Sequence, residues 1–335
     1  RSNVQGLFNS FRWGWDGRIY GAASSRGGEV LPPDIPGDKP VTLRGRDFSF
    51  DPRTLDIRPE SGGAQHGLSF DAWGRRFVCS NSDHCQAVLY DDHYFARNPH
   101  LPVPGPRQSI ADDGGQAPVF RISPIEPWRI VRTRLRVSGE SPGAVEGGGR
   151  PAGYFTGATG ITIYTGDAYP EEYHGLAFIG DVGSNIVHRK RITSQGVGFT
   201  AARLDRDNEF VRSKDIWFRP AQFANAPDGC LQILDVYREV IEHPKSLPPP
   251  IKQHLDLTSG RDRGRLYRVA PQGAAVRTRV DLSPLTTAGP RATLPQGPLV
   301  HLRQRTLPSS LRSFRMRGDC WSSHHRRSGD STRSG

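Results

Sequence analysis

His66 is the residue best suited to acid–base work. An imidazole whose ordinary pKa lies near ~6.5 can take a hydroxyl proton at neutral pH. It stands in the run Ala64-Gln65-His66-Gly67-Leu68-Ser69-Phe70, where capping a strand or bonding a backbone carbonyl is its alternative role. Arg12 and Arg219 carry planar guanidinium forks, which suit carboxylates such as that of a sugar acid. Their alternative is to satisfy strand-end carbonyls, or for Arg219 to pair with Asp215 or Asp235. Thr156 opens a similar run, Phe155-Thr156-Gly157-Ala158-Thr159-Gly160-Ile161. No GxSxG elbow, HExxH helix or GxxxxGK[ST] loop is present. Gly147-Gly148-Gly149 lies in a Pro-flanked loop and makes no dinucleotide fingerprint. Asp205-Arg206-Asp207-Asn208-Glu209 opens like a calcium loop, but Phe210 and Ile216 stand where Gly and Glu are needed. It reads as a solvated turn, and the site-residue reading includes no metal ligand. Four cysteines, Cys79, Cys85, Cys230 and Cys320, form no CxxC or CxxCH, which excludes zinc-ribbon spacing and covalent haem in this chain. Cys79 and Cys85 can meet only if a turn brings them together, and small buried apolar side chains are their commoner role.

The elements that must position these residues recur along the chain. Apolar runs begin at 19, 77, 178 and 231, and three of them follow a Gly-containing turn. A repeat near 50 residues of short strands with a turn before the second is the pattern of propeller blades. A sheet of four strands cannot cover both its faces alone, so blades stack and bury face on face. Trp13, Phe70, Trp73 and Phe178 are expected to fill the space between blades. The segment before each turn predicts an innermost strand, at 9–14, 64–70, 155–161 and 217–223. Innermost strands line a central channel, so Arg12, His66, Thr156 and Arg219 are predicted to gather at one mouth. Pro/Gly-rich stretches at about 98–118 and 138–153 read as insertions. Residues 128–136 place Arg at 132, 134 and 136, an alternation that predicts one basic face of a strand.

Composition agrees with an all-β reading. Of 335 residues, 38 are Gly and 28 Pro, with a single Met, which favours turns over helices. No run approaches the roughly 18 apolar residues of a spanning helix, and the given chain opens with no secretory leader. The net charge of +11 is uneven. Residues 271–335 hold eleven Arg, no Lys and three acids, leaving only +3 for the first 270. A nucleic-acid-binding body would carry its basic excess on a folded face, so no nucleic acid partner is expected. The predicted organisation is a partial propeller at 1–270 and a mostly disordered, Arg-rich tail at 271–335.

Several segments carry a resemblance. They are Asn9-Ser10-Phe11-Arg12-Trp13-Gly14, Phe77-Val78-Cys79-Ser80-Asn81-Ser82-Asp83-His84, Asn185-Ile186-Val187-His188-Arg189, Trp217-Phe218-Arg219-Pro220 and residues 260–268. Together they resemble the propeller domain of bacterial proteins named membrane-bound dehydrogenases, in the wider glucose/sorbosone dehydrogenase-like group, over roughly 1–287. The resemblance implies a six-bladed β-propeller of the quinoprotein type, of which about four blades are visible. It implies an extracytoplasmic, periplasmic setting and a pyrroloquinoline quinone cofactor with Ca²⁺. It also implies oxidation of a sugar or alcohol with His66 as base, and an electron-accepting cytochrome as partner. On that reading Arg12, Arg219 and Thr156 would bind the cofactor. Relatives of this kind continue into helical repeats and a CxxCH module, so the loss of pattern after about Thr287 is read as a change of reading frame. The alternatives are a non-catalytic propeller that binds carbohydrate or protein, and a fragment without function.

Overall fold

Short apolar runs punctuated by Gly and Asp turns favour strands too brief to stand alone, and they pair locally with their sequence neighbours. The computed structural model describes residues 7–24, 26–31, 39–95, 97–98 and 100–273. The tail beyond Gly273 and the proposed frame change after Thr287 lie outside the described residues. The first sheet holds β1 (Asn9–Trp13), β2 (Ile19–Ala22), β5 (Asp47–Phe50) and β6 (Ile57–Glu60) in that order. Between β2 and β5 a small hairpin forms from β3 (Glu29–Val30) and β4 (Val41–Thr42). The second sheet runs β7 (His66–Phe70), β8 (Arg76–Cys79), β9 (Gln86–Val88) and β10 (Arg107–Ser109). The helix α1 (Pro127–Val137) precedes the third sheet, β11 (Ala158–Ile163), β12 (Leu176–Asp181), β13 (Ile186–Gln195) and β14 (Gly198–Arg203), with β15 (Val211–Arg212) beside β13. The last sheet is β16 (Pro220–Asn225), β17 (Leu231–Asp235) and β18 (Arg265–Val269), interrupted by the short helix α2 (Pro249–Lys252).

These four antiparallel sheets are blades in a propeller arrangement, an all-β fold. Their innermost strands β1, β7, β11 and β16 lie side by side in that order. Period-two alternation explains how one sheet serves two interfaces. On β12, Ala177 and Ile179 face the second blade, in a core with Phe77, Ala87, Phe155 and Ile161. The intervening Leu176 and Phe178 face the fourth blade and meet Phe223, Leu231 and Ile233. A third core joins the first two blades through Ala22, Leu68 and Val78, flanked by Tyr20 and Phe70. Central strands buried on both faces therefore read as unbroken apolar runs.

Three expectations need correction. Residues 128–136 are not a strand with a basic face but lie in α1, because Pro127 occupies the first turn and Trp128, Arg132 and Leu135 recur at helical spacing. Trp13 and Trp73 do not pack between blades; they are 64% and 76% exposed, since both stand where a hairpin leaves its inner strand. Within 205–209 only Arg206, Asp207 and Asn208 turn in solvent; Asp205 takes a bidentate pair from Arg189 (2.8 and 2.9 Å), and Glu209 is buried. It meets His188 Nδ1 at 2.6 Å and Arg203 at 3.2 Å.

Candidate functional site

Each innermost strand begins in the same way. The first paired residue is Asn9 opposite Ala22, His66 opposite Cys79, Ala158 opposite Asp181 and Pro220 opposite Asp235. A bulge follows in all four, and at two of them the next residue, Ser10 or Gly67, takes φ near +60°. Such bulges bend a strand and re-aim its side chains. His66 thus stands level with the first residues of the other inner strands. Its Nε2 lies 3.1 Å from Asn81 Oδ1. With Asn81 accepting, Nε2 carries the proton and Nδ1 is left as the basic nitrogen. Asn81 is itself fixed on both sides: its N–H donates to Gln65 Oε1 (3.1 Å) and its carbonyl accepts from Ala158 N–H (2.9 Å). Burial lowers the His66 pKa, with the Asn81 contact opposing, so the ring is neutral at neutral pH.

The expected inner strands at 155–161 and 217–223 begin three residues late, at Ala158 and Pro220. Thr156 and Arg219 therefore sit on the lead-in to their strands. Thr156 N–H and Gly157 N–H both donate to Asp181 Oδ2 at 3.1 Å, and Ser184 N–H donates to Oδ1 at 2.7 Å. Asp235 plays the same part in the last blade, accepting from Arg219 N–H and Tyr237 N–H at 2.8 Å each. The Arg219 side chain is fully buried. It donates to Glu126 Oε1 (3.0 Å) and to the carbonyls of Val182 (2.7 Å), Arg238 (3.0 Å) and Glu239 (2.7 Å). Burial draws its pKa down to about 10 against the pull of Glu126, and it remains a cation. Burial alone would raise Glu126, but Arg129, Arg219 and Arg121 outweigh it and hold the carboxyl below its usual range. Arg219 is thus a strut joining α1's lead-in to the third and fourth blades, where a cofactor ligand was expected.

Arg12 belongs to a different level. It follows the bulge, about 7–10 Å farther along β1 than Asn9 at ~3.3 Å per residue. Its guanidinium reaches across the axis to the Phe223 carbonyl, with Thr162 Oγ1 at 3.4 Å and Gln222 Oε1 at 3.5 Å. His66 thus opens its inner strand, Thr156 and Arg219 stand just before theirs, the Asn81 carbonyl joins the second blade to Ala158 of the third, and Arg12 lies past the bulge of β1. A tricarboxylate quinone needs free guanidinium donors, and both arginines are engaged by protein acceptors. Among the described residues no three His, Cys, Asp or Glu side chains converge on a cation position. Neither Arg219 nor Arg12, so engaged, fits the part of a free guanidinium ligand to a quinone carboxylate. Asn81, Glu126 and Asp181 were missed in the sequence, and Asp235 was named only as an ion-pair partner of Arg219, whereas its carboxylate accepts from the Arg219 backbone N–H. The two aspartates were within reach, since each closes the second strand of its blade; the other two owe their partners to distant segments.

Among curated proteins no significant sequence relative is found. Among solved structures the chain is similar to an oxidoreductase of Thermus thermophilus described, provisionally, as a glucose dehydrogenase (15% identity, TM-score 0.35). It is also similar to the PQQ-bound aldose sugar dehydrogenase of Streptomyces coelicolor (15%, TM-score 0.32) and the soluble aldose sugar dehydrogenase of Escherichia coli (14%, TM-score 0.33). The alignments cover 70%, 68% and 69% of this chain but only 62%, 56% and 61% of those proteins, so the chain spans less than two thirds of their length. Residues 1–273 match the family model described as "Domain of unknown function (DUF7133)", and with most of its length inside that match the chain belongs to this family.

Proposed function

We propose that this propeller binds a sugar or alcohol at the mouth marked by His66 and takes a proton from one of its hydroxyls, the half of a dehydrogenase reaction that its own residues can supply. The observation that carries the reading is the neutral, half-buried His66, whose Nε2 is held by a locked Asn81 while Nδ1 is left basic. Nδ1 accepts the hydroxyl proton, and Asn81 keeps the ring from turning away. Thr156 lies along the same rim, and Arg219 with Glu126 fixes the lead-in of the fourth blade. Oxidation of the alkoxide carbon requires an acceptor, and a quinone with Ca²⁺ is the one the resemblance implies. An extracytoplasmic setting and a cytochrome partner belong to the same reading; no described helix is long and apolar enough to cross a membrane. The second reading, carbohydrate binding without turnover, is favoured by the engagement of Arg12 and Arg219 with protein acceptors.

The test uses the full chain with a panel of aldoses and polyols, by calorimetry, and by dye reduction with and without pyrroloquinoline quinone and Ca²⁺. Binding of at least one sugar is expected, weakened about tenfold or more in His66→Leu, a loss of the order of one charge-free hydrogen bond. Dye reduction dependent on the quinone selects the dehydrogenase, and binding without it selects the second reading. No saturable binding across the panel overturns both.

A further inference from the structure

Cys79 closes β8, and Cys85 stands one residue before β9. The two strands pair as Arg76 with Val88, Phe77 with Ala87 and Val78 with Gln86. One more step of that register sets Cys79 directly opposite Cys85. Alternation places them on the same side of the sheet. Phe77, Cys79, Cys85 and Ala87 all belong to the core shared with the third blade, while Val78 and Val88 belong to the core on the other face. The turn between them is tightly held. Ser80 N–H donates to the Asp83 carbonyl at 2.8 Å, and the Asp83 carboxylate accepts from Gln86 Nε2 (2.6 Å) and Ser109 Oγ (2.9 Å). Directly opposed residues in an antiparallel pair have Cα atoms about 4.5–5.5 Å apart, inside the roughly 4.4–6.8 Å that a disulfide spans. In this structure both are thiols.

We propose that Cys79 and Cys85 form a redox pair, which closes to a cross-strand disulfide by exchange with a low-molecular-weight disulfide of the oxidised-glutathione type. One cysteine thiolate attacks the small disulfide, forming a mixed disulfide and releasing one small thiol. The other cysteine thiolate then attacks the protein sulfur of that mixed bond and releases the second small thiol. Two protein thiols are oxidised, one small disulfide is reduced, and the two thiol protons end on the released thiols. Both cysteines are wholly buried in the folded chain, and burial pushes the Cys85 thiol up to about 12. Exchange therefore takes place while the second and third blades are still apart, and the closed fold then protects whichever state it was given. The loop so stapled carries Asn81, the residue that holds His66, so the pair sets how firmly the mouth is built.

The experiment refolds the full chain in a glutathione redox buffer and alkylates it after acid quench and denaturation. Cleavage after Arg76 and Arg97 leaves both cysteines on one peptide, 77–97. That peptide is expected to be unalkylated and lighter by two hydrogen atoms, with no backbone fragments between the two cysteines until reductant is added. The oxidised chain is expected to melt at a higher temperature than the reduced one. Full alkylation of the peptide after oxidative refolding, or its linkage to Cys230 or Cys320, overturns the proposal. Sugar binding plays no part in either readout, so failure here is distinct from failure of the His66 site.

Discussion

Arg219 shows what a buried cation does when every side-chain nitrogen has an acceptor. Removing its side chain in Arg219→Met strips an ion pair from Glu126 and donors from three carbonyls. The expected loss is about 3 kcal/mol of stability by urea denaturation. Sugar affinity of the folded fraction is expected to stay within about twofold of the parent. A cofactor-holding Arg219 would instead lose ligand response at little cost in stability. The imidazoles set a pH dependence. His84 is wholly buried, stacked on Phe155 at 3.9 Å, with neither ring nitrogen hydrogen-bonded. Burial lowers His84 well below its ordinary value, His188, Lys190 and Arg203 adding to the effect, and burial also lowers His66. A folded pKa below the unfolded one means that the unfolded chain binds the proton first. Stability is complete above about pH 6.5 and falls as pH drops below it, by at most about 1.4 kcal/mol per pH unit for each imidazole and only until that imidazole is protonated in the folded chain as well. Asp47 acts in the opposite sense: burial raises it to about 6, so the folded chain takes its proton first and offsets part of the loss below that pH. Urea midpoints across this range are expected to decline, and His84→Leu is expected to flatten the decline.

At the scale of elements, the contacts between blades are decided by how closely backbones approach. Gly67 occupies the bulge of β7 at φ +60°, and a Cβ there would lie 2.8 Å from Ile161 Cγ2, 2.9 Å from Ile161 N and 3.0 Å from Cys79 Sγ. Gly67→Ala meets both a left-handed backbone and a β11 that cannot retreat. A loss of about 2–3 kcal/mol is expected, measured by thermal or urea unfolding. Gly17 is the control, since it has a positive φ but open space around it; Gly17→Ala is expected to cost about 1 kcal/mol. The helix α1 was hidden at this scale. Its arginines satisfy an alternating pattern and a helical one together, and only Pro127 and the burial of Trp128 and Arg132 choose between them.

For the molecule as a whole, the first and last blades are tied at the axis. Gln222 Nε2 donates to Ser10 Oγ at 2.9 Å, and Arg12 reaches the Phe223 carbonyl. Apolar side chains of both blades nonetheless stay open, with Phe11 on β1 and Leu266 on β18 more than half exposed. Removing the tie in Arg12→Ala is expected to speed amide hydrogen exchange in β1 and β2 by about tenfold or more, and to leave β12 and β13 unchanged. Uniform acceleration across all four sheets would show that Arg12 supports the fold generally and does not close it.

The repeat of turn and apolar run determined the blades by itself, because local pairing and period-two burial are written in consecutive residues. It also led to the expectation that Arg12, His66, Thr156 and Arg219 gather at one mouth, but the register sets Asn9, not Arg12, at the place equivalent to His66. Which of those side chains are free was decided only by the tertiary structure. Arg219 is sealed by Glu126, Val182 and Glu239, and Arg12 by Gln222 and Phe223, partners that lie from 20 to 211 residues away in the chain. A guanidinium has the same type in a strut as in a binding site. Only the acceptors around it settle its role, and those arrive through the packing of blade on blade.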